Sequence, residues 1–140
     1  MINHFVMYGE PRGKQRPRVA NGHAYTPEET RTYEALLAYQ YQTQCKGWFG
    51  KDTRVQMKVI AWYGIPKSAS KAMRSRMLSG EIRPTRSPDC DNVLKIVADS
   101  LNKLAFYDDS QIDAMVIEKR YSDTPRVEVW LTDEGLNKID

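Results

Sequence analysis

The stretch PDCDNVLKIVADSLNKL, residues 88–104, combines a helical period with a dense group of carboxylates. Its apolar residues recur three or four positions apart, which predicts an amphipathic helix from near Asp91 to near Leu104. Asp91, Lys95 and Asp99 are four residues apart and share the opposite, polar face of that helix. The apolar face is predicted to consist of Val93, Ile96 or Val97, Leu101 and Leu104.

Carboxylates lie at both ends of this predicted helix. Asp89 and Asp91 flank its start, and Asp108 and Asp109 follow its end. Two carboxylates about 4 Å apart repel each other by roughly 4 kcal/mol at an effective dielectric constant near 20, so a fold that gathers them generally holds a cation. We therefore expect these acids to converge on a metal ion, and if the ion is Mg²⁺ the natural substrate is a phosphate ester.

Ordinary structural roles explain part of this pattern. Asp91 is a favourable helix cap, and Lys95 can pair with Asp91 or Asp99 in a surface ion pair of under about 1 kcal/mol. Neither role explains Asp89 or the Asp108–Asp109 pair. Three roles for Lys95 therefore remain open: it stabilises developing charge, it positions a water molecule, or it lowers the repulsion among the acids.

Basic residues occupy other parts of the chain, which has a formal net charge of +3 and an isoelectric point of about 8.8. A basic surface around an acidic centre suits a nuclease, because the cations hold phosphates while the acids hold metal. The alternative is a solvated surface without a binding role. The basic residues form three groups: Arg12, Lys14, Arg16 and Arg18; Lys67, Lys71, Arg74 and Arg76; Arg83 and Arg86.

Helix signals occur at two further places. Thr26, Pro27 and Glu29 predict a capping box at the start of a helix that continues to about Gln44. Residues 70–78 predict a short basic helix. Length and composition indicate one domain over residues 1–140.

Strand signals complete the predicted architecture. Asn21-Gly22 predicts a hairpin turn, and strands are predicted at residues 4–8, 54–62, 112–121 and 126–131. The fold class is therefore α/β (α+β): a small mixed β-sheet packed with two to three helices, ending in a C-terminal β-hairpin. Trp62 and Trp130 are expected in the core rather than at a subunit interface.

Other classes of protein are not indicated. No apolar run is long enough to cross a membrane, and residues 1–8 lack the basic and apolar regions of a signal peptide. We therefore expect a cytoplasmic protein without a membrane partner. Cys45 and Cys90 fit no zinc-binding pattern and are expected to stay reduced.

The acidic stretch also resembles a known family. PDCDNVLKIVADSLN at residues 88–102 and YDDSQI at residues 107–112 closely resemble the RusA-type Holliday junction resolvases, small endodeoxyribonucleases of which many are carried by prophages. The combination of the two motifs is specific. Four further segments resemble the family, so the resemblance covers nearly the whole chain: GKQRPR at 13–18, YTP at 25–27, IPKS at 65–68 and KRY at 119–121.

The resemblance implies a bacterial or phage-encoded homodimer that nicks two strands symmetrically across a four-way DNA junction, in recombination and repair. It implies one or two Mg²⁺ ions in each active site and no organic cofactor. By matched position, Asp89, Asp91 and Asp109 are implied to bind metal and Lys95 to be catalytic. Asp99 and Asp108 match acidic positions with a possible supporting role. DNA binding is expected from Lys14, Arg16 and Arg18, with Arg83 and Arg86 nearer to the scissile phosphate.

Two alternatives stay open beside this reading. The first is a less selective nuclease that cuts branched, flap or single-stranded DNA with the same metal centre. The second is a catalytically inactive junction-binding protein, in which the acidic site is dead or binds metal for stability alone.

Overall fold

The computed structural model describes residues 1–139. Three strands precede the first helix, and a fourth strand, two helices and two further strands follow it, with two short 3₁₀ turns at Asp109–Gln111 and Leu136–Lys138. The elements are β1 (Ile2–Tyr8), β2 (Arg18–Ala20), β3 (His23–Tyr25), α1 (Glu28–Gln44), β4 (Val55–Gly64), α2 (Lys71–Leu78), α3 (Cys90–Leu101), β5 (Ile112–Ser122) and β6 (Arg126–Thr132).

A four-stranded mixed sheet with the order β1-β6-β4-β5 forms the centre of the fold. β4 pairs antiparallel with β6 and parallel with β5, while β1 pairs antiparallel with β6. β2 and β3 form a separate ribbon, closed by the predicted turn in which Asn21 and Gly22 have φ of 52° and 77°. Helices on a small mixed sheet confirm the predicted α+β class.

The core lies between the sheet and the helices. Every second residue of β4 is buried, and α3 contributes the apolar stripe that its period predicted. Each fully buried side chain of this size contributes about 1.5–3 kcal/mol of burial free energy. Leu104 lies beyond the end of α3, where it is only half-buried. The helix and strand residues meeting here include Met57, Val59, Tyr63, Val93, Ile96, Val97 and Leu101.

The predicted C-terminal hairpin is wrong. β5 and β6 do not pair with each other, because β4 lies between them and pairs with both. Residues 123–125 cross over the end of β4 at Gly64, where a Cβ atom would lie 3.1 Å from the Pro125 ring. A strand buried at alternate positions along its whole length gains more from two neighbours than from one. β5 therefore lies at the edge of the sheet. The charged residues Glu118 to Arg120 fit this position, because charged side chains on an edge strand oppose pairing with another chain.

Two smaller expectations also differ from the structure. Pro27 occupies the N-cap position of α1 and no side chain caps it, so the capping box from Thr26 is absent. Trp62 and Trp130 lie on the sheet face opposite the helices and are half-buried. Their rings pack against cations and a histidine: the Arg126 guanidinium lies 4.5 Å from the Trp62 ring, and the His4 ring stacks on Trp130 at 4.5 Å.

Among the helices of residues 1–139, none combines the length and the apolar character that crossing a membrane requires. Cys45 and Cys90 are both free thiols.

Candidate active site

The start of α3 presents two carboxylates to solvent. Asp89 is the N-cap residue, but its side chain accepts no capping hydrogen bond, and Asp91 lies in the first turn. Both are exposed. The dipole of α3 favours negative charge at this end. The cap is thus Asp89 rather than the expected Asp91, and both carboxylates keep their oxygens available for a ligand.

Tyr63 fixes the backbone that leads into Asp89. Its hydroxyl donates a hydrogen bond of 2.7 Å to the carbonyl of Pro88. Burial raises the pKa of Tyr63 to about 12, so the phenol remains a donor throughout the neutral range. Two cations cover the ring, with Arg86 at 4.9 Å and Lys119 at 5.1 Å from its centroid. Lys119 also donates to the Arg86 carbonyl at 2.5 Å.

The loop between β1 and β2 docks on the first turn of α3. The backbone N–H of Lys14 donates to the carbonyl of Asn92 at 2.8 Å. Gly13 permits this approach, because a Cβ atom there would lie 2.9 Å from the Cβ atoms of both Asn92 and Pro88. The loop therefore carries its basic residues to the Asp89 end of α3.

Lys14 connects the two long helices. Its ammonium lies 2.9 Å from Glu34 of α1 and 3.1 Å from Asp99 of α3, and its side chain is only 15% exposed. Burial alone would lower the pKa of Lys14, but its hydrogen bonds to Glu34 and Asp99 outweigh that effect and raise it. Lys95 lies one turn away on α3, with its ammonium 3.9 Å from Asp99. Lys14 is therefore already engaged, whereas Lys95 remains 62% exposed.

The two acids after α3 differ in their contacts. Asp108 caps the 3₁₀ turn by accepting from the Ser110 N–H at 3.0 Å, and it pairs with Lys103 at 3.3 Å. Hydrogen bonds from Ser110, followed by the contact with Lys103, lower the pKa of Asp108. The exposed Asp109 side chain makes no hydrogen bond or ion pair with any residue from 1 to 139. Of the two, Asp109 is the one available to a ligand.

Gln111 attaches this turn to the segment that enters β4. Its amide nitrogen donates to the carbonyls of Gly50 and Thr53 at 2.8 and 2.9 Å, and its amide oxygen accepts the Asp108 N–H at 2.9 Å. Sequence reasoning assigned no role to Gln111, Tyr63 or Gly13. Gly13 and Gln111 lie inside the motifs GKQRPR and YDDSQI, whereas no local sequence pattern points to Tyr63.

The expected convergence of the acids within one chain does not occur. Tyr63, near the end of β4, holds the Asp89 end of α3 through its hydrogen bond to Pro88. The Asp109 turn lies at the other end of β4, because Ile112, which directly follows the turn, pairs with Val55, the first residue of β4. Those two positions on β4 are roughly 25 Å apart at 3.3 Å per residue. No group of three histidine, cysteine or carboxylate side chains within residues 1–139 is arranged to hold a metal ion.

The remaining basic candidates lie in the two segments that connect to the Asp89 end of α3, the docked loop with β2 and the loop before α3. Arg16 and Arg18 are exposed, and Arg18 begins β2. Arg83 and Arg86 lie in the loop before α3, with long contacts to Glu118 at 3.9 Å and Glu10 at 3.6 Å. Exposed ion pairs of this length are weak, so both arginines can exchange a carboxylate for a phosphate.

Comparisons with known proteins bear on this site. The family model described as "Endodeoxyribonuclease RusA" matches residues 8–132, a range that contains both acidic segments and the basic loop. The chain is also similar to the uncharacterized protein YqaN of Bacillus subtilis (strain 168). The two are 37% identical over an alignment of 138 residues, and the match covers 91% of this chain and 93% of YqaN.

Proposed function

The chain belongs to the RusA family of endodeoxyribonucleases, and from that membership we propose that it is a Mg²⁺-dependent nuclease that resolves four-way DNA junctions by paired symmetric nicks. The observation that carries the proposal is the family match across residues 8–132. Three exposed aspartates without side-chain partners in the described chain, Asp89, Asp91 and Asp109, support it. The setting of this activity is recombination and repair in the cytoplasm of a bacterium, encoded by the host or by a phage.

The active unit in this proposal is a homodimer with two shared sites. Asp109 is too far from Asp89 and Asp91 to join them on one ion within a chain. A two-fold axis that sets two α3 helices side by side and antiparallel would bring the Asp109 end of one copy to the Asp89 end of the other. Two such sites match a substrate that must be cut at two symmetric positions.

The donor chemistry of these residues fits Mg²⁺. Hard divalent cations take carboxylate oxygens, and these carboxylates are exposed and have no competing protein partner. When bound, the metal ion supplies an activated water and neutralises charge on the phosphate. Lys95 lies on the same polar face as Asp91, and its ammonium is exposed with only a long contact of 3.9 Å to Asp99, so it is available to stabilise negative charge that develops on the scissile phosphate.

Arginines rather than Lys14 bind the DNA backbone in this proposal. Arg16 is exposed on the docked loop and Arg18 is exposed at the start of β2, while Arg83 and Arg86 lie in the loop before α3. Arginine pairs with phosphate in a bidentate geometry that lysine lacks. Lys14 instead orients Asp99 and joins α1 to α3.

The decisive experiment uses a synthetic mobile four-way junction with and without Mg²⁺, and maps both nicks. We expect Mg²⁺-dependent nicks at symmetric positions, much faster than cuts in a flap or in linear duplex. Glu28→Gln, at an exposed carboxylate of α1 that makes no side-chain hydrogen bond or ion pair within residues 1–139, serves as the control for Asp109→Asn. Equal cutting of flap and junction would indicate the less selective nuclease. Junction binding without any Mg²⁺-dependent nick would indicate an inactive binding protein.

A further inference from the structure

A cleft adjoins the Asp89 end of α3, between the basic loop and the start of α1. Its volume is about 360 Å³, within the range of roughly 300–1,000 Å³ that is typical of small-ligand sites. Asp89 forms part of its wall. Loop residues 11–15, Glu29, Thr30 and Tyr33 of α1, and Ser87, Pro88, Asn92 and Ile96 complete the lining.

We propose that this cleft receives one unstacked nucleobase beside the phosphate to be cut, and that Gln15 and Asn92 contact its hydrogen-bonding edge. The inference rests on the proposed function and adds to it a source of sequence preference. A branch point supplies such a base at low cost, because bases next to a junction are less firmly stacked and paired than those in continuous duplex.

The apolar part of the lining suits a flat aromatic ring. Pro88 is half-buried and Tyr33 keeps 8% of its surface exposed, so both present carbon atoms to the cleft, whereas the lining residues Pro11 and Ile96 are buried and contribute little accessible surface. Burial raises the pKa of Tyr33 to about 12, so its ring stays neutral. A base that leaves the stack exchanges one apolar contact surface for another.

Two amide side chains in the lining have unused hydrogen-bonding capacity. The Gln15 amide oxygen accepts from the Thr30 hydroxyl at 3.2 Å, which leaves its amide nitrogen free to donate. The Asn92 amide makes no hydrogen bond with residues 1–139, although its backbone carbonyl holds Lys14. Asparagine and glutamine are the side chains that pair bidentately with base edges. Both residues lie inside the motif segments, and phosphodiester hydrolysis itself gives neither of them a task.

The charges around the cleft favour a neutral group over a second phosphate. Asp89 and Glu29 both line it, and their carboxylates repel phosphate. Arg12 and Lys14 also contribute to the lining, but the Lys14 ammonium is engaged by Glu34 and Asp99. A neutral heterocycle that donates and accepts hydrogen bonds fits this mixture better than an anion does.

The first test measures cleavage preference with four junctions that differ only in the base next to the nick. Gln15→Met and Asn92→Leu keep side-chain size while removing the amide, and Gln42→Met on the exposed face of α1 is the control. We expect wild type and the control to cut the best junction about tenfold faster than the worst, the scale of one good base contact. The two cleft variants should bring that ratio to within about twofold while binding junctions normally. Variants that keep the wild-type ratio, or a wild type without preference, would overturn the proposal.

The second test needs no cleavage. A junction that carries 2-aminopurine at the branch point is titrated with protein in EDTA, so that base capture is read as a change in fluorescence. Wild type and Gln42→Met should give the change, and Asn92→Leu should lose most of it at equal occupancy. Binding without a change at any branch position contradicts base capture. A fluorescence change without Mg²⁺-dependent nicks would instead leave base capture standing and refute the nuclease.

Discussion

Asp108 and Asp109 show how adjacent identical residues acquire different roles. Asp108 accepts a backbone N–H and pairs with Lys103, whereas Asp109 faces solvent. The sequence motif marks both equally, since a D-D pair carries no information about which side chain turns inward to cap the chain. The 3₁₀ turn makes that choice, because its N-cap position falls on Asp108.

Asp109→Asn should therefore abolish cleavage without disturbing the fold. We expect a loss on the order of a hundredfold or more, because even the hydrogen-bond partners of metal ligands contribute about 10–100-fold to activity. Junction affinity in EDTA should stay equal to wild type or rise, since one repelling carboxylate is gone. Asp108→Asn should show the reverse, with a lower melting temperature and substantial residual cleavage. If Asp109→Asn cuts at the wild-type rate, the assignment of Asp109 to the metal fails.

Tyr63→Phe isolates the contribution of one hydroxyl to the position of Asp89. Loss of the hydrogen bond to Pro88 should lower the free energy of unfolding by about 1 kcal/mol. Cleavage should fall severalfold with little change in KM, because the variant moves Asp89 without removing a DNA contact. Tyr39→Phe, at an exposed tyrosine of α1, is the control. An unchanged kcat would show that the Pro88 carbonyl needs no such support.

At the scale of elements, period and turn chemistry predicted most of the structure. α1, α3 and the β2–β3 ribbon were found where apolar spacing and Asn21-Gly22 indicated them. The hairpin prediction was wrong because strand pairing depends on residues that are distant in the sequence. Local pattern identifies β5 and β6 as strands, but their partners depend on competition with β4, which is distant in sequence. The same limit applies to the site, because the motifs identify the acids but not the distance between them.

Lys14 and Arg16 lie close together in the sequence, but Lys14 is expected to stabilise the connection between α1 and α3 and Arg16 to bind DNA. Lys14→Met removes an ammonium that two partly buried carboxylates share, so we expect a loss of about 1–3 kcal/mol in stability, between the values for exposed and buried pairs. Arg16→Met should leave stability unchanged but weaken junction binding and reduce its dependence on salt. Urea unfolding and binding titrations at several salt concentrations measure both effects. A stable Lys14→Met variant with weakened, less salt-dependent binding would return Lys14 to the DNA contacts.

At the scale of the whole molecule, the proposed dimer accounts for the separation of the acids, because each site would take acids from both copies. A mixture of Asp89→Asn and Asp109→Asn chains tests this directly. Each variant alone should be inactive. In a mixed dimer with shared sites, one site receives both substitutions and the other receives none, so the mixture should regain single nicks.

Recovery should be absent if each site lies within one chain, because every chain then carries a defect. The control mixes Asp89→Asn with Asp91→Asn, which substitute the same end of α3 and leave no intact site under either arrangement. Activity in the first mixture but not in the control would support shared sites. Equal inactivity of both mixtures, with mixed dimers demonstrated by subunit exchange, would contradict them.

The attachment of both acid-bearing ends to β4 has a geometric consequence. Tyr63 at one end and the Gln111 ties at the other hold the acids a fixed strand length apart, and β4 is hydrogen-bonded on both sides. In the proposed dimer, the distance between the two active sites would then equal that strand length. Insertions in surface loops would leave this distance unchanged. Two residues added to β4 would increase the distance between the two active sites by roughly 7 Å, so the sites would no longer match the spacing of the two phosphates to be cut.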